Sequence, residues 1–276
     1  YAWWYIDALS DDKQHGLTII AFIGSVFSPY YAWSGWREPE HHCAMNVALY
    51  RAGADRWAMT ERGRADLSRT QDTLAIGPSN MRWDGAALTL DIDEWTAPLP
   101  SRVRGTVTLR PKAISERAYA LDLNGRHHWR PIAPRARIEV NFDGGALAWS
   151  GEAYLDSNWG AEPLEHGFRS WHWSRAHTQH GSMVHYDVTP RVGDDRSLAL
   201  RFDEAGEPRL VLVRQYRAPF DDYVLEVPAG MRDVAGEPTE LTAARELVEE
   251  VGLVAGTLEH LLDMYPSAGM TDSVLT

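Results

Sequence analysis

Cysteine is almost missing from this 276-residue chain: Cys43 is the only one. A lone thiol excludes an intrachain disulfide and a cysteine-built zinc site, and suits a reducing cytoplasm. Positive charge is also short, with 27 Lys and Arg against 39 Asp and Glu and a net charge of −12. That balance excludes nucleic-acid binding through a basic face. Anionic headgroups would repel such a surface, so any membrane contact must be apolar or aromatic. No amphipathic helical period appears before about residue 190. A secretory signal pattern is missing too: the chain opens at Tyr1 in mid-motif, with no charged n-region or cleavage site, and reads as trimmed. Tryptophan is absent beyond Trp173, and all twelve lie at or before it. From there Val, Leu and Glu dominate, so the break suggests two units, 1–195 and 196–276. At 44% hydrophobic and 24% charged, the chain can bury a sizeable core.

The residues present read as strands. Gly16 to Gly35 carries no charge and is long enough to span a membrane. Gly24, Ser25, Ser28 and Pro29 interrupt it, however, and Thr18-Ile19-Ile20 suits a buried strand followed by an aromatic loop. Such a loop, Ser28 to Trp33, could dip into a bilayer surface. Met45, Val47 and Leu49 alternate. Asp84-Gly85 signals a hairpin before Leu88, Leu90 and Ile92, and Val103, Val107 and Leu109 mark another strand. Short strands at regular turns predict a sandwich or barrel. The adjacent pairs His41-His42 and His127-His128 are poor chelates, because neighbours on a strand point to opposite faces.

The cleanest strand is Ala136, Ile138, Val140 and Phe142 alternating with Arg137, Glu139, Asn141 and Asp143. Its flanks carry polar residues that folding alone does not require: His127, His128 and Trp129 before it, and Tyr154, Asp156 and Asn158 after it. If both flanks are strands of one barrel, Trp129, Tyr154 and Asp156 can converge on its interior. A carboxylate among aromatic rings is costly to ionise, so Asp156 would hold a proton near neutral pH as a general acid. The alternative is a turn capped by Asp156 and Asn158 before Gly160.

HHWRP and YLDSNWG, with YAWWYIDAL, GSVFSPYYAW, HCAMNVALY and RWAMTERG upstream, resemble the carotenoid 1,2-hydratase (hydroxyneurosporene synthase) family over roughly residues 1–190. The resemblance implies a lipocalin-like (calycin-type) β-barrel and cofactor-free addition of water to the terminal C=C of an acyclic carotenoid such as neurosporene or lycopene. It assigns Asp156 as the acid, with His127, Trp129 and Tyr154 lining the site. It also implies a cytoplasmic protein with room for a peripheral contact on the inner or photosynthetic membrane.

In the second unit, Leu198, Leu200 and Phe202 alternate, and Leu210–Tyr216 reads as their hairpin partner. Thr239 can cap a helix with Leu241, Ala244, Leu247, Val248 and Val251 on its apolar face. Glu246, Glu249 and Glu250 share another face, where like charges repel unless a divalent cation sits among them, and oxygen ligation suits Mg²⁺. Gly230, Glu237, Arg245, Glu246, Glu249, Glu250 and Gly252 resemble the Nudix box of ADP-ribose pyrophosphatase-like enzymes, with one extra residue between Gly230 and Glu237. The resemblance implies a partial α/β Nudix unit after the barrel. Both units look incomplete, as a fragment, a fusion or a chimera would. Three readings stand: a carotenoid hydratase, an Mg²⁺-dependent hydrolase of a nucleoside diphosphate conjugate, and a non-catalytic shell for a hydrophobic ligand.

Overall fold

The structure, a computed structural model, describes residues 1–203 apart from 52–54, 179–180 and 194–195, and then 213–226, 234, 236–252 and 258. It divides into two compact units, Tyr1–Pro208 and Arg209–Thr276.

In the first unit, β1 (Ala2–Ser10), β2 (His15–Ile23), β3 (Cys43–Arg51) and β4 (Arg56–Arg62) form an antiparallel meander. A second run comprises β5 (Leu67–Arg69), β6 (Thr73–Ile76), β7 (Ser79–Trp83), β8 (Leu88–Trp95) and β9 (Arg102–Pro111), with the short β10 (Tyr119–Ala120). Two long strands, β11 (His127–Phe142) and β12 (Leu147–Gly160), join the runs, giving the order β4-β3-β2-β1-β12-β11-β9-β8-β7-β6-β5 with β10 beside β11. The sheet curls until Ala58 of β4 bridges Thr96, just past β8, so the lipocalin-like barrel is nearly closed. The seam is ionic. Arg62 donates two hydrogen bonds to fully buried Glu94 (3.1 and 2.7 Å), and the Ser79 hydroxyl donates a third (2.7 Å). A buried charge is tolerable when it is paired and bonded in this way.

The alternations expected at Met45–Leu49, Leu88–Ile92, Val103–Leu109 and Ala136–Phe142 all point into the barrel core. Two residues the sequence offered no reason to single out, Pro131 and Pro134, shape β11. Register shifts fall between Arg130 and Ala133 and again between Ala133 and Ala136. Each interval has one residue more than its partner on β12 and contains one proline, which cannot donate to the ladder. The bulge between Ala133 and Ala136 lets both face the core although they are an odd number of residues apart. The two shifts cancel in phase, so Trp129 keeps the outer face that alternation from Ala136 gives it.

Outside the barrel, β13 (Phe168–Thr178), β14 (Gly181–Pro190) and β15 (Arg196–Phe202) form a separate three-stranded sheet. Val184 faces Leu200 and Tyr186 faces Leu198 across the last pair. Among the described residues β15 therefore pairs with β14, not with the 210–216 segment as the sequence suggested. A second core joins this sheet to the barrel's outer wall, with Val184, Tyr186, Val188 and Phe202 against Trp3, Phe22, Trp129 and Tyr154.

After β2 the expected aromatic loop is partly a short helix, α1 (Pro29–Trp33). Ser28 caps it by accepting from the Tyr31 N–H (3.0 Å), and Pro29 sits where a missing N–H costs nothing. The one other α-helix of this unit among the described residues is α2 (Leu164–Gly167). No helix among the described residues is long and apolar enough to cross a membrane.

In the second unit, β16 (Val213–Arg217) pairs with β17 (Asp222–Glu226), and α3 (Thr239–Val251) covers the predicted helix. Its N-cap is Pro238, not Thr239; the start is held instead by Thr242, whose hydroxyl donates to Glu237 (2.8 Å). Gly252 ends the helix in the left-handed region (φ 67°), which glycine adopts without strain. Leu241 and Val248 of the expected apolar face are exposed, whereas Thr242 is buried.

Candidate active site

β-strand alternation sets the site. On β1 and β12, Tyr5 pairs with Asp156, Trp3 with Asn158 and Asp7 with Tyr154, and these residues share the outer face of the wall. Ile6, Ala8, Ala153 and Leu155 between them face the barrel core. Trp129, Tyr154 and Asp156 thus converge as the sequence suggested, but not in the barrel interior. They lie between the barrel wall and the three-stranded sheet, because Asp156 sits one residue out of phase with the core-facing set.

Asp156 is buried inside strand β12, so it caps no turn. Its Oδ2 accepts two hydrogen bonds, from the Trp129 indole N–H (2.8 Å) and the Tyr154 hydroxyl (2.9 Å). Its Oδ1 is buried with no partner among the described residues. Burial is the main influence on its acidity and outweighs both hydrogen bonds; the nearby Asp7 carboxylate adds to it and Arg175 opposes it. The result is a carboxyl pushed up to about 7. With Oδ2 committed as a double acceptor, the proton belongs on Oδ1.

Asp156 and Asn158 line a cavity of about 180 Å³, with Trp3, Tyr5, Phe22, Phe27, Trp173 and Tyr186 among its walls. The Tyr186 hydroxyl donates to Asn158 Oδ1 (2.9 Å). Another polar atom on this wall is unpartnered among the described residues, the buried indole N–H of Trp173. Two orphaned polar atoms on one cavity are what a bound water or a polar substrate group would satisfy. Beside the acid, Arg175 chelates Asp7 (2.7 and 2.9 Å from Nε) and lies 5.4 Å over the Tyr154 ring.

His127 lies on the same outer face but away from the cavity lining. Its Nδ1 meets the Tyr1 hydroxyl at 2.7 Å and its Nε2 meets Glu162 at 3.3 Å, and burial lowers its pKa below the ordinary imidazole range. Trp129 and Tyr154 reach the cavity only through Asp156. Tyr5, Trp173 and Tyr186 were not singled out in the sequence. They come from β1, β13 and β14, which only tertiary pairing brings together, and the one hint was the density of Trp and Tyr before residue 190.

In the second unit, Arg245 ion-pairs with Glu237 (3.3 Å), Glu246 (3.0 Å) and Glu249 (3.4 Å). Among the described residues no group of three or more metal-binding side chains converges. Gly230 lies outside the described residues. Glu237, Glu246 and Glu249 are thus gathered around the Arg245 guanidinium.

A nearly closed barrel whose outer wall carries a buried carboxyl in an aromatic cavity beneath a second sheet is a lipocalin-like architecture. The fold is shared with the crystal structure of CghA with Sch210972, at a TM-score of 0.50 and 13% identity over 75% of this chain and 58% of that one. The family model Carotenoid hydratase CrtC matches residues 19–224, and the chain belongs to that family. It is 57% identical to the acyclic carotenoid 1,2-hydratase of Thiocapsa roseopersicina over 75% of this chain and 52% of the relative. The chain spans about half the length of the curated relatives it first matches. A NUDIX domain model matches residues 195–273, and the chain is 42% identical to the ADP-ribose pyrophosphatase of Mycobacterium tuberculosis over 33% of this chain and 42% of that protein. The NUDIX match generally implies Mg²⁺.

Proposed function

We propose that the first unit adds water to the terminal C=C of an acyclic carotenoid, with Asp156 as the acid. The observation that carries this reading is the asymmetry of one carboxyl: Oδ2 is held by Trp129 and Tyr154, and Oδ1 has no partner among the described residues. Protonation of a trisubstituted alkene from Oδ1 gives a tertiary carbocation. The surrounding rings, Trp173 and Tyr5 first, stabilise it by about 2 kcal/mol of cation–π attraction in a desolvated site. Water held between the Trp173 N–H and Asp156 then attacks the cation, and the carboxylate recovers the proton. The cavity suits the end of a polyene rather than its length.

Supply of such a substrate bears on the edge of the cavity. Phe27, on its lining, is 59% exposed, and Tyr30 and Trp33 next to it in α1 are 62% and 77% exposed. These three would enter a bilayer interface, bringing the cavity to a lipid-dissolved polyene without any cationic attraction. Anaerobic incubation with neurosporene or lycopene in liposomes, followed by chromatography, tests the activity. A product one water heavier, labelled from H₂¹⁸O, is expected. Saturable binding without product would favour the non-catalytic shell. Sedimentation with neutral liposomes tests the contact: it should fall when Phe27, Tyr30 and Trp33 are replaced by serine, and unchanged sedimentation would remove it.

The NUDIX match favours a second reading, hydrolysis of a nucleoside diphosphate conjugate such as ADP-ribose by residues of the second unit. With Arg245 tying up Glu237, Glu246 and Glu249, weak or absent turnover is expected. Mg²⁺-dependent release of AMP at ordinary enzymatic rates, lost in Glu249→Gln, would overturn that expectation.

A further inference from the structure

A second cavity, of about 440 Å³, opens at the end of the barrel, on the other face of the same wall. Trp4 and Leu155 line it, while their chain neighbours Trp3, Tyr5 and Asp156 line the first. Backbone hydrogen bonding between β1 and β12 closes the wall between them, so a molecule in this cavity cannot reach Asp156. Its size falls within the range of small-molecule sites. Leu74, Met81, Trp83 and Leu88 supply further apolar surface.

The charged groups on its lining are Arg69, Asp72 and Arg130, two positive against one negative in a chain that is acidic overall. Arg130 is distinctive. It is half-buried, and its Nε donates to the Ser115 carbonyl oxygen (2.8 Å), which fixes the guanidinium plane. Its two Nη groups have no hydrogen bond or ion pair among the described residues. Elsewhere on the barrel Arg56, Arg62, Arg102 and Arg137 are each paired with a carboxylate. A half-buried guanidinium held in place but without a counter-charge matches the planar, two-oxygen geometry of a carboxylate or phosphate monoester. A neutral hydrocarbon would leave it unsatisfied.

We propose that the barrel mouth is a second, independent binding site for a single-chain amphipathic anion. The head would lie on the Nη edge of Arg130 and the alkyl tail between Trp4, Met81, Trp83 and Leu155. The inference does not depend on the hydratase reading, and its readout is binding alone.

Calorimetric titration of the full chain with dodecanoate, dodecyl phosphate and dodecanol, each below its aggregation threshold, tests it. One saturable site is expected for at least one anion, with dodecanol at least about tenfold weaker, the scale of one charge-assisted hydrogen bond. The preferred anion distinguishes a fatty acid from a phosphorylated lipid as the source. Arg130→Gln should reduce anion binding to the level of dodecanol and leave dodecanol unchanged. Met81→Trp, which fills the cavity, should abolish both, and Asp156→Asn should change neither. If Met81→Trp fails to fold by circular dichroism, Arg130→Gln decides alone. No saturable binding, equal affinity for anion and alcohol, or indifference to Arg130→Gln would overturn the proposal.

Discussion

The two faces of the β1–β12 wall are made from alternate residues of the same strands, yet they obey different rules. The inner face, with Ile6, Ala8, Ala153 and Leu155, is uniformly apolar and packs into the barrel core. The outer face, with Tyr5, Asp7, Tyr154, Asp156 and Asn158, is polar and aromatic; Tyr154, Asp156 and Asn158 are buried there, and Asp156 Oδ1 has no partner among the described residues. Burial on the inner face stabilises the fold. On the outer face, burial of Asp156 opposes the charged form and raises its pKa instead. The difference shows that covering a surface and packing it for stability are separate tasks.

The largest expected effect comes from Asp156→Asn, which should separate the two tasks in one substitution. Hydration should fall about a thousandfold or more, because an amide cannot deliver the proton. Stability should change in the opposite sense. The folded-state pKa of about 7 lies above the ordinary carboxyl value, so the folded state holds the proton more tightly than the unfolded chain does. That contribution is complete below the ordinary value and is lost as pH rises to about 7, by on the order of 4 kcal/mol. Urea denaturation should therefore find the variant more resistant than the parent at pH 8.5 and little different at pH 4. Equal stability at both would mean that the carboxyl is not strained by burial.

Its neighbour across the wall should behave in reverse. Ile6→Ala removes a fully covered side chain from the inner face and should cost about 2–5 kcal/mol in the same denaturation assay. The pH midpoint of hydration should stay where it was. A shifted midpoint would show that the faces are coupled.

Smaller effects should sharpen the picture of the outer face. Arg175 lowers the pKa of Asp156 and Asp7 raises it. Arg175→Gln should carry the alkaline limb of the pH–rate profile upward, and Asp7→Asn should carry it downward. A purely structural role would move both variants the same way. The smallest change expected is Trp173→Phe, which keeps the ring but removes the unpartnered N–H. About a tenfold loss of turnover is expected, the worth of one hydrogen bond, with the pH midpoint preserved. Unchanged turnover would remove Trp173 from any part in holding the water.

Much of this was legible in the residues themselves. Period-two alternation specified the barrel strands, because a side chain one position out of phase would put an apolar group in water or a charge in the core. The spacing of Leu241, Ala244, Leu247 and Glu246, Glu249, Glu250 predicted α3, and Gly252 marked its end. The candidate acid was legible too, as a carboxylate out of place among Trp and Tyr. What the local pattern could not contain was the side of the wall on which Asp156 would lie. Alternation states that Asp156 and Leu155 face opposite ways, but it is symmetric and does not say which way is inward. That choice came from the barrel's closure on Ala153 and Leu155 and from β13–β15, which cover the outer face and bring Trp173 and Tyr186 to the acid. The pairing of Arg245 with Glu237, Glu246 and Glu249 was likewise beyond the helical period, since spacing aligns side chains on a face without saying which counter-charge meets them. Sequence by itself determined the strands, their apolar phase and the chemical types at the site; tertiary structure alone decided which face was sealed, and sealing is what raises the pKa of Asp156.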